Sequence, residues 1–183
     1  TTIIMNVQEA TTRRLPDLKE RHLPENCRET INTILKETYG YEQFRHLEIY
    51  DDLSKGKEKL CISQGQLIEN VILEAEKAWK SETQVDNILL TAPTGSGKSL
   101  LFQLPAIYLG KEYNLLTIVV SPLKALIVDQ VESLQELGYA RVAYASSDLS
   151  PEQKMEVYRQ VREGEIDLFY LSPELLLSYD IKH

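Results

Sequence analysis

The residues best suited to chemistry lie in one run, Thr91-Ala92-Pro93-Thr94-Gly95-Ser96-Gly97-Lys98-Ser99, with Leu100 behind it and Asn87-Ile88-Leu89-Leu90 ahead of it. A short apolar run reads as a buried parallel strand, and the Gly-rich turn after it as a loop that opens a helix at Lys98. That is the context a phosphate-binding P-loop needs. Gly95 and Gly97 leave room for backbone N–H groups to close around phosphate oxygens, and the amides of the helix start add positive potential. Lys98 can reach the β and γ phosphates, and the Ser99 hydroxyl can hold Mg²⁺. The first glycine of G-x-x-x-x-G-K-[ST] is Ala92 here. Ala92, Pro93, Thr94, Gly95, Ser96, Gly97, Lys98, Ser99 and Leu100 are therefore the candidate nucleotide-binding residues. Lys98 and Ser99 would act on the reacting phosphate, with Ser99 as the metal ligand.

Several elements must position that loop. After Ser81 the pattern alternates strand and helix: strands at about 87–91, 115–120, 140–145 and 166–171, with helices between them. The helix after the P-loop should run from Lys98 to about Leu109, bent or broken at Pro105. Another starts near Pro122 and ends before Gly138. A third opens at Ser150-Pro151-Glu152-Gln153, with Ser150 as cap and Gln153 in the capping-box position, and closes at Gly164. Short-connected alternation predicts an α/β fold: a parallel sheet with flanking helices and a ligand beyond the carboxyl ends of the strands.

The N-terminal third reads differently. Residues 1–24 look irregular and Glu25–Thr38 helical, ended by Gly40. Residues 50–60 read as a charged loop or linker. From Gln66 to Lys80, Leu67, Ile68, Val71, Ile72, Ala75, Ala78 and Trp79 repeat at helical spacing, with Trp79 as a packing anchor. The expected division is 1–62, helical and irregular, and 63–183, the nucleotide-binding domain. A start at Thr1 hints at a piece of something longer.

Composition narrows the class. The chain has 183 residues, 43% hydrophobic and 26% charged, ordinary for a globular protein. No stretch approaches the roughly 18 apolar residues of a membrane span, and no signal-peptide pattern opens the chain. Cys27 and Cys61, without C-x-x-C pairing, read as reduced thiols of a cytoplasmic protein. The net charge of −8 argues against broad electrostatic capture of nucleic acid. Any such contact must be local. Ser121-Pro122-Leu123, Ser146-Ser147 and Ser172-Pro173-Glu174 each follow a predicted strand, where hydroxyls and amides can hold a phosphodiester backbone without reading bases. A Ser-Pro pair is also simply a helix-start signal.

The run from Asn87 to Leu177 resembles the first motor domain of superfamily two helicases (the DEAD/DEAH-box type), most closely the RecQ family. Thr91–Ser99 matches motif I, and Phe102-Gln103-Leu104-Pro105-Ala106 the segment behind it. Ser121–Gln130 with Val131 resembles motif Ia, Ser146-Ser147 a further short signature, and Tyr170–Glu174 motif Ib. The resemblance implies a P-loop NTPase (RecA-like) fold that binds ATP and Mg²⁺ and drives unwinding of single-stranded or forked nucleic acid, DNA favoured. Ser121, Pro122, Leu123, Ser146, Ser147, Ser172, Pro173 and Glu174 would grip the strand.

The family also has a motif ahead of the P-loop, aromatic-Gly-Tyr-x-x-Phe-Arg-x-x-Gln, whose glutamine contacts adenine. Tyr39-Gly40-Tyr41-Glu42-Gln43-Phe44-Arg45 matches its opening but runs on to Glu48, while Gly65-Gln66 matches its close. Residues 50–63 look like an insertion that splits it, and Gln66 is the favoured adenine contact. No D-E-x-H or D-E-x-D follows the fourth strand, and the second motor domain is absent, so this stretch alone should hold phosphates without cleaving them. A nucleotide-dependent adaptor that binds a protein partner is the rival the acidic charge favours. A small-molecule P-loop kinase would need a lid richer in arginine than Arg141, Arg159 and Arg162.

Overall fold

The computed structural model describes residues 26–50, 59–80, 88, 90 and 95–177. It divides into two compact units, residues 3–105 and 106–183. The strand expected at 87–91 and P-loop residues Ala92, Pro93 and Thr94 lie outside or at the fringe of the described residues, as does the segment 1–24.

In the first unit, α1 (Glu29–Tyr39) is followed by strands β1 (His46–Tyr50) and β2 (Lys59–Ser63) and by α2 (Gln64–Trp79). Helix α1 ends at Gly40 in the left-handed conformation, as its sequence predicts. Its apolar side, Ile31, Ile34 and Leu35, is buried, and on α2 so are Leu67, Ile68 and Ile72. One arginine ties the two helices together. Arg28 donates from its backbone N–H and from Nε to Glu69, at 3.0 and 2.8 Å, and from a terminal guanidinium nitrogen to Glu76 at 2.6 Å. Both carboxylates are buried, so they need that cation.

The stretch read as a charged loop or linker, 50–60, lies mostly outside the described residues, and its two ends join an antiparallel hairpin that the sequence reading did not anticipate, in register from His46↔Ser63 to Tyr50↔Lys59. The alternation is present in both strands, Leu47 and Ile49 pairing with Ile62 and Leu60, but only the long-range pairing identifies them as a hairpin. Trp79, expected as a packing anchor, stands 51% exposed because it is the last residue of α2.

Helix α3 (Leu100–Tyr113) crosses the boundary between the units and runs unbroken through Pro105. This too corrects the expected break at that proline. Pro105 lies early in the helix, where a missing N–H removes one bond from a ladder that buried Leu104, Ala106 and Ile107 otherwise sustain.

The second unit holds β3 (Thr117–Val120), α4 (Lys124–Glu136), β4 (Val142–Ala145), α5 (Pro151–Arg162), β5 (Leu168–Leu171) and the short α6 (Pro173–Leu177). The sheet is parallel, in the order β3-β5-β4. All four residues of β5 are buried, as a central strand covered on both faces requires. Ala143, Ala145, Phe169 and Leu171 form one core with Val157 and Val161 of α5, and α4 buries Ile127, Val131 and Leu134. Ser150 and Gln153 form the anticipated capping box.

The amino end of β5 is locked by charge. Asp167, 1% exposed, accepts from the Tyr139 hydroxyl at 2.6 Å and from Arg141 Nε at 2.8 Å. Gly110 of α3 lies against this carboxylate so closely that a Cβ there would collide with it.

Candidate nucleotide site and strand-binding rim

The P-loop turn ends in the first turn of α3, where Leu100, Leu101 and Phe102 donate back to the carbonyls of Gly97, Lys98 and Ser99. Gly97 has φ +76°, and a Cβ on it would stand 2.6 Å from the Gln64 side chain, so glycine is needed on both counts. Lys98 is exposed, Ser99 half-buried and Leu100 buried. The Ser96 hydroxyl is buried without a hydrogen-bond partner, a donor that a phosphate oxygen would complete.

The hairpin explains how a split motif reassembles. Because His46 pairs with Ser63, the residues flanking the hairpin meet: Gln64 N–H donates to the Arg45 carbonyl at 2.9 Å, and Arg45 N–H donates to Gln64 Oε1 at 3.2 Å. Arg45 thus sits next to Gln64-Gly65-Gln66 despite the intervening residues. The Gln64 amide also donates from Nε2 to the Ser96 carbonyl of the P-loop, at 3.1 Å. Gln64 is 2% exposed, a buried polar side chain satisfied at both ends.

These pieces enclose a cleft of about 380 Å³. Tyr39 through Gln43 and Arg45 line one side; Gln64, Gly97, Ser99, Leu100 and Gln103 line the other. The Tyr39 and Tyr41 rings stack with centroids 6.3 Å apart. Gln66, the residue favoured from sequence for the adenine, lies in the capping box at the start of α2, its Oε1 accepting from Ser63 N–H at 3.0 Å. It is Gln64 that borders the cleft.

On the second unit, Val120 and Ala145 both lie opposite Leu171. Ser121, Ser146 and Ser172, the next residues in each strand, therefore stand in one row at the carboxyl ends. Ser121 N–H extends the ladder to the Leu171 carbonyl at 3.0 Å, and its hydroxyl accepts from Leu123 N–H at 3.3 Å. Ser146 and Ser172 are buried, whereas Pro122, Leu123, Ser147 and Glu174 are exposed. Hydrogen bonding from its own backbone N–H holds the Glu174 carboxylate below its usual range. Lys124, which sequence reading passed over, donates to Ser147 Oγ at 2.5 Å and to Asp148 Oδ1 at 2.8 Å. Among the described residues no group of His, Cys, Asp and Glu could hold a metal ion, and no helix is long and apolar enough to cross a membrane.

A phosphate-type loop in one unit and a parallel sheet with a hydroxyl-lined rim in the other are the parts of a P-loop NTPase, and known proteins agree. The DEAD/DEAH box helicase family matches residues 72–183, and the chain belongs to that family. Within it the chain is similar to the ATP-dependent DNA helicase RecQ of Synechocystis, 34% identical over 151 residues, covering 82% of this chain and 25% of that protein. It is also similar to the ATP-dependent DNA helicase Q-like 5 of Arabidopsis thaliana, 32% identical over 152 residues, covering 83% of this chain and 13% of that one. The chain thus spans a quarter or less of the length of these relatives. The crystal structure of the helicase MrfA bound to DNA superposes with a TM-score of 0.52 at 22% identity, over 89% of this chain and 19% of that one, and shares its fold.

Proposed function

We propose that this chain is the ATP-binding and strand-binding part of an ATP-dependent DNA helicase of the RecQ type. One observation carries the reading: the cleft in which the Tyr39–Arg45 segment faces Gly97 and Ser99. A P-loop alone would serve any phosphate ligand. A P-loop facing paired tyrosines and a buried glutamine supports a nucleotide with its base held as well. In this reading residues 63–183 belong to the motor domain, and Tyr39–Arg45 furnish the base side of its nucleotide site.

The residues fit ATP and Mg²⁺. Lys98 would neutralise the terminal phosphate, Ser96 would donate its hydroxyl to a phosphate oxygen, and Ser99 would hold the metal. Mg²⁺ when bound supplies charge neutralisation to the phosphates. Gln64 fixes the loop by holding the Ser96 carbonyl. The base-side role passes from Gln66 to Tyr39–Gln43 and Gln64, which border the cleft. On the rim, Ser121, Pro122, Leu123, Ser147, Pro173 and Glu174 would meet the backbone of single-stranded or forked DNA. Buried Ser146 and Ser172 would support them from beneath. A second motor domain in the longer protein would complete the catalytic machinery. The free thiols Cys27 and Cys61 fit a reducing, cytoplasmic compartment.

The test is ATP turnover by the intact protein, with and without single-stranded DNA, against Lys98→Ala. Loss of that charge-assisted contact should weaken ATP binding by about 1.5–3 kcal/mol, roughly 10- to 100-fold, and remove DNA-stimulated turnover. Nucleotide affinity unchanged in Lys98→Ala would sink the reading. Turnover indifferent to DNA and RNA would favour the adaptor instead.

A further inference from the structure

Lys124 lies at the start of α4, behind β3, yet its partners come from the connection behind β4. Its ammonium donates to Ser147 Oγ at 2.5 Å and to Asp148 Oδ1 at 2.8 Å, and Ser147 Oγ also donates to Asp148 Oδ1 at 3.3 Å. One lysine therefore links the connections behind β3 and β4. Its side chain is 43% exposed and that of Asp148 70% exposed, so the pair is wet, screened and easily exchanged. Hydrogen bonding from Lys124 keeps the Asp148 carboxyl below the usual range, so the acid is ionised throughout the neutral region.

A carboxylate oxygen and a phosphodiester oxygen want the same thing from an ammonium: a donor and a positive charge. We propose that Asp148 is an internal competitor for the backbone phosphate of a bound strand, holding Lys124 and Ser147 until a phosphate takes its place. The proposal rests on the reading of the rim as a strand-binding surface. The strand must displace a carboxylate and then tolerate it nearby. Binding is thereby weakened at every sequence alike, because phosphate contacts carry no base information. For a motor that must release a strand and take it again, such a competitor favours release.

The experiment is a titration of a fluorescent oligo-dT with the intact protein at low salt. Asp148→Asn keeps the size of the side chain and removes the competing charge, and should tighten binding roughly 3- to 5-fold. Lys124→Ala should weaken binding, and in the Asp148→Asn background should erase the gain. Glu136→Gln, the same charge change at the far end of α4, should leave affinity unaltered. The proposal is overturned if Asp148→Asn leaves affinity unchanged or lower while Leu123→Asp on the exposed rim weakens it; the rim reading then survives alone. Equal gains from Asp148→Asn and Glu136→Gln would overturn it too, since net charge would be the cause. If neither the native protein nor any variant binds the strand, both readings fall.

Discussion

Gln64 shows how much one buried amide can decide. Its carbonyl oxygen takes the Arg45 N–H and its nitrogen serves the Ser96 carbonyl, so it joins the hairpin to the P-loop through a single rigid group. Gln64→Glu separates those two duties. The carboxylate still accepts from Arg45, but it turns an oxygen toward the Ser96 carbonyl where a donor stood. Burial raises the pKa of a carboxyl, so the neutral acid, with its O–H donor, returns as pH falls. We expect nucleotide affinity, as a ratio to the native protein, to fall about 10- to 100-fold at pH 8 and to recover toward pH 6. A ratio flat with pH, measured with a fluorescent ATP analogue, would show that the lost donor is immaterial. Lys98, Ser99 and the loop glycines are legible because a phosphate loop fixes residue types at fixed spacing. Gln64 is not, since its role depends on a fold-back that brings residues 45 and 64 together.

At the scale of elements, α1 and α2 depend on a cation that no periodicity would select. Arg28 precedes α1, and its guanidinium meets Glu69 and Glu76, seven residues apart on one side of α2. The apolar stripes of both helices are readable from spacing. The buried acids interrupt the stripe of α2 and read as solvent-facing until their partner is known. Removing Arg28 takes the cation from two buried carboxylates, so Arg28→Ala should destabilise the first unit by about 3–5 kcal/mol. Trp79, the single tryptophan, ends the same helix and reports its unfolding by fluorescence in a urea titration. A midpoint unmoved by Arg28→Ala would mean that water already satisfies both acids. The hairpin was hidden for a related reason: each strand is only five residues long, and register from His46↔Ser63 is a long-range fact.

For the whole molecule, the proposed function raises the question of how a chain of net charge −8 would hold a polyanion. The rim would meet it with hydroxyls, backbone groups and Lys124, itself already paired with Asp148. Charge repulsion between chain and strand should make encounter slow at low salt, while few condensed counterions are released on binding. With about two phosphates neutralised, the slope of log affinity against log salt should lie near −1.4, since each contact on a single strand contributes about −0.7. Titration of oligo-dT at several salt concentrations measures it directly. A slope steeper than about −4 would require a basic surface elsewhere in the protein, and the rim would then be secondary. A slope near the expected value, together with turnover stimulated by the strand, would mean that this motor grips by shape and hydrogen bonding. Its affinity would then change little across the salt range in which basic-patch binders let go.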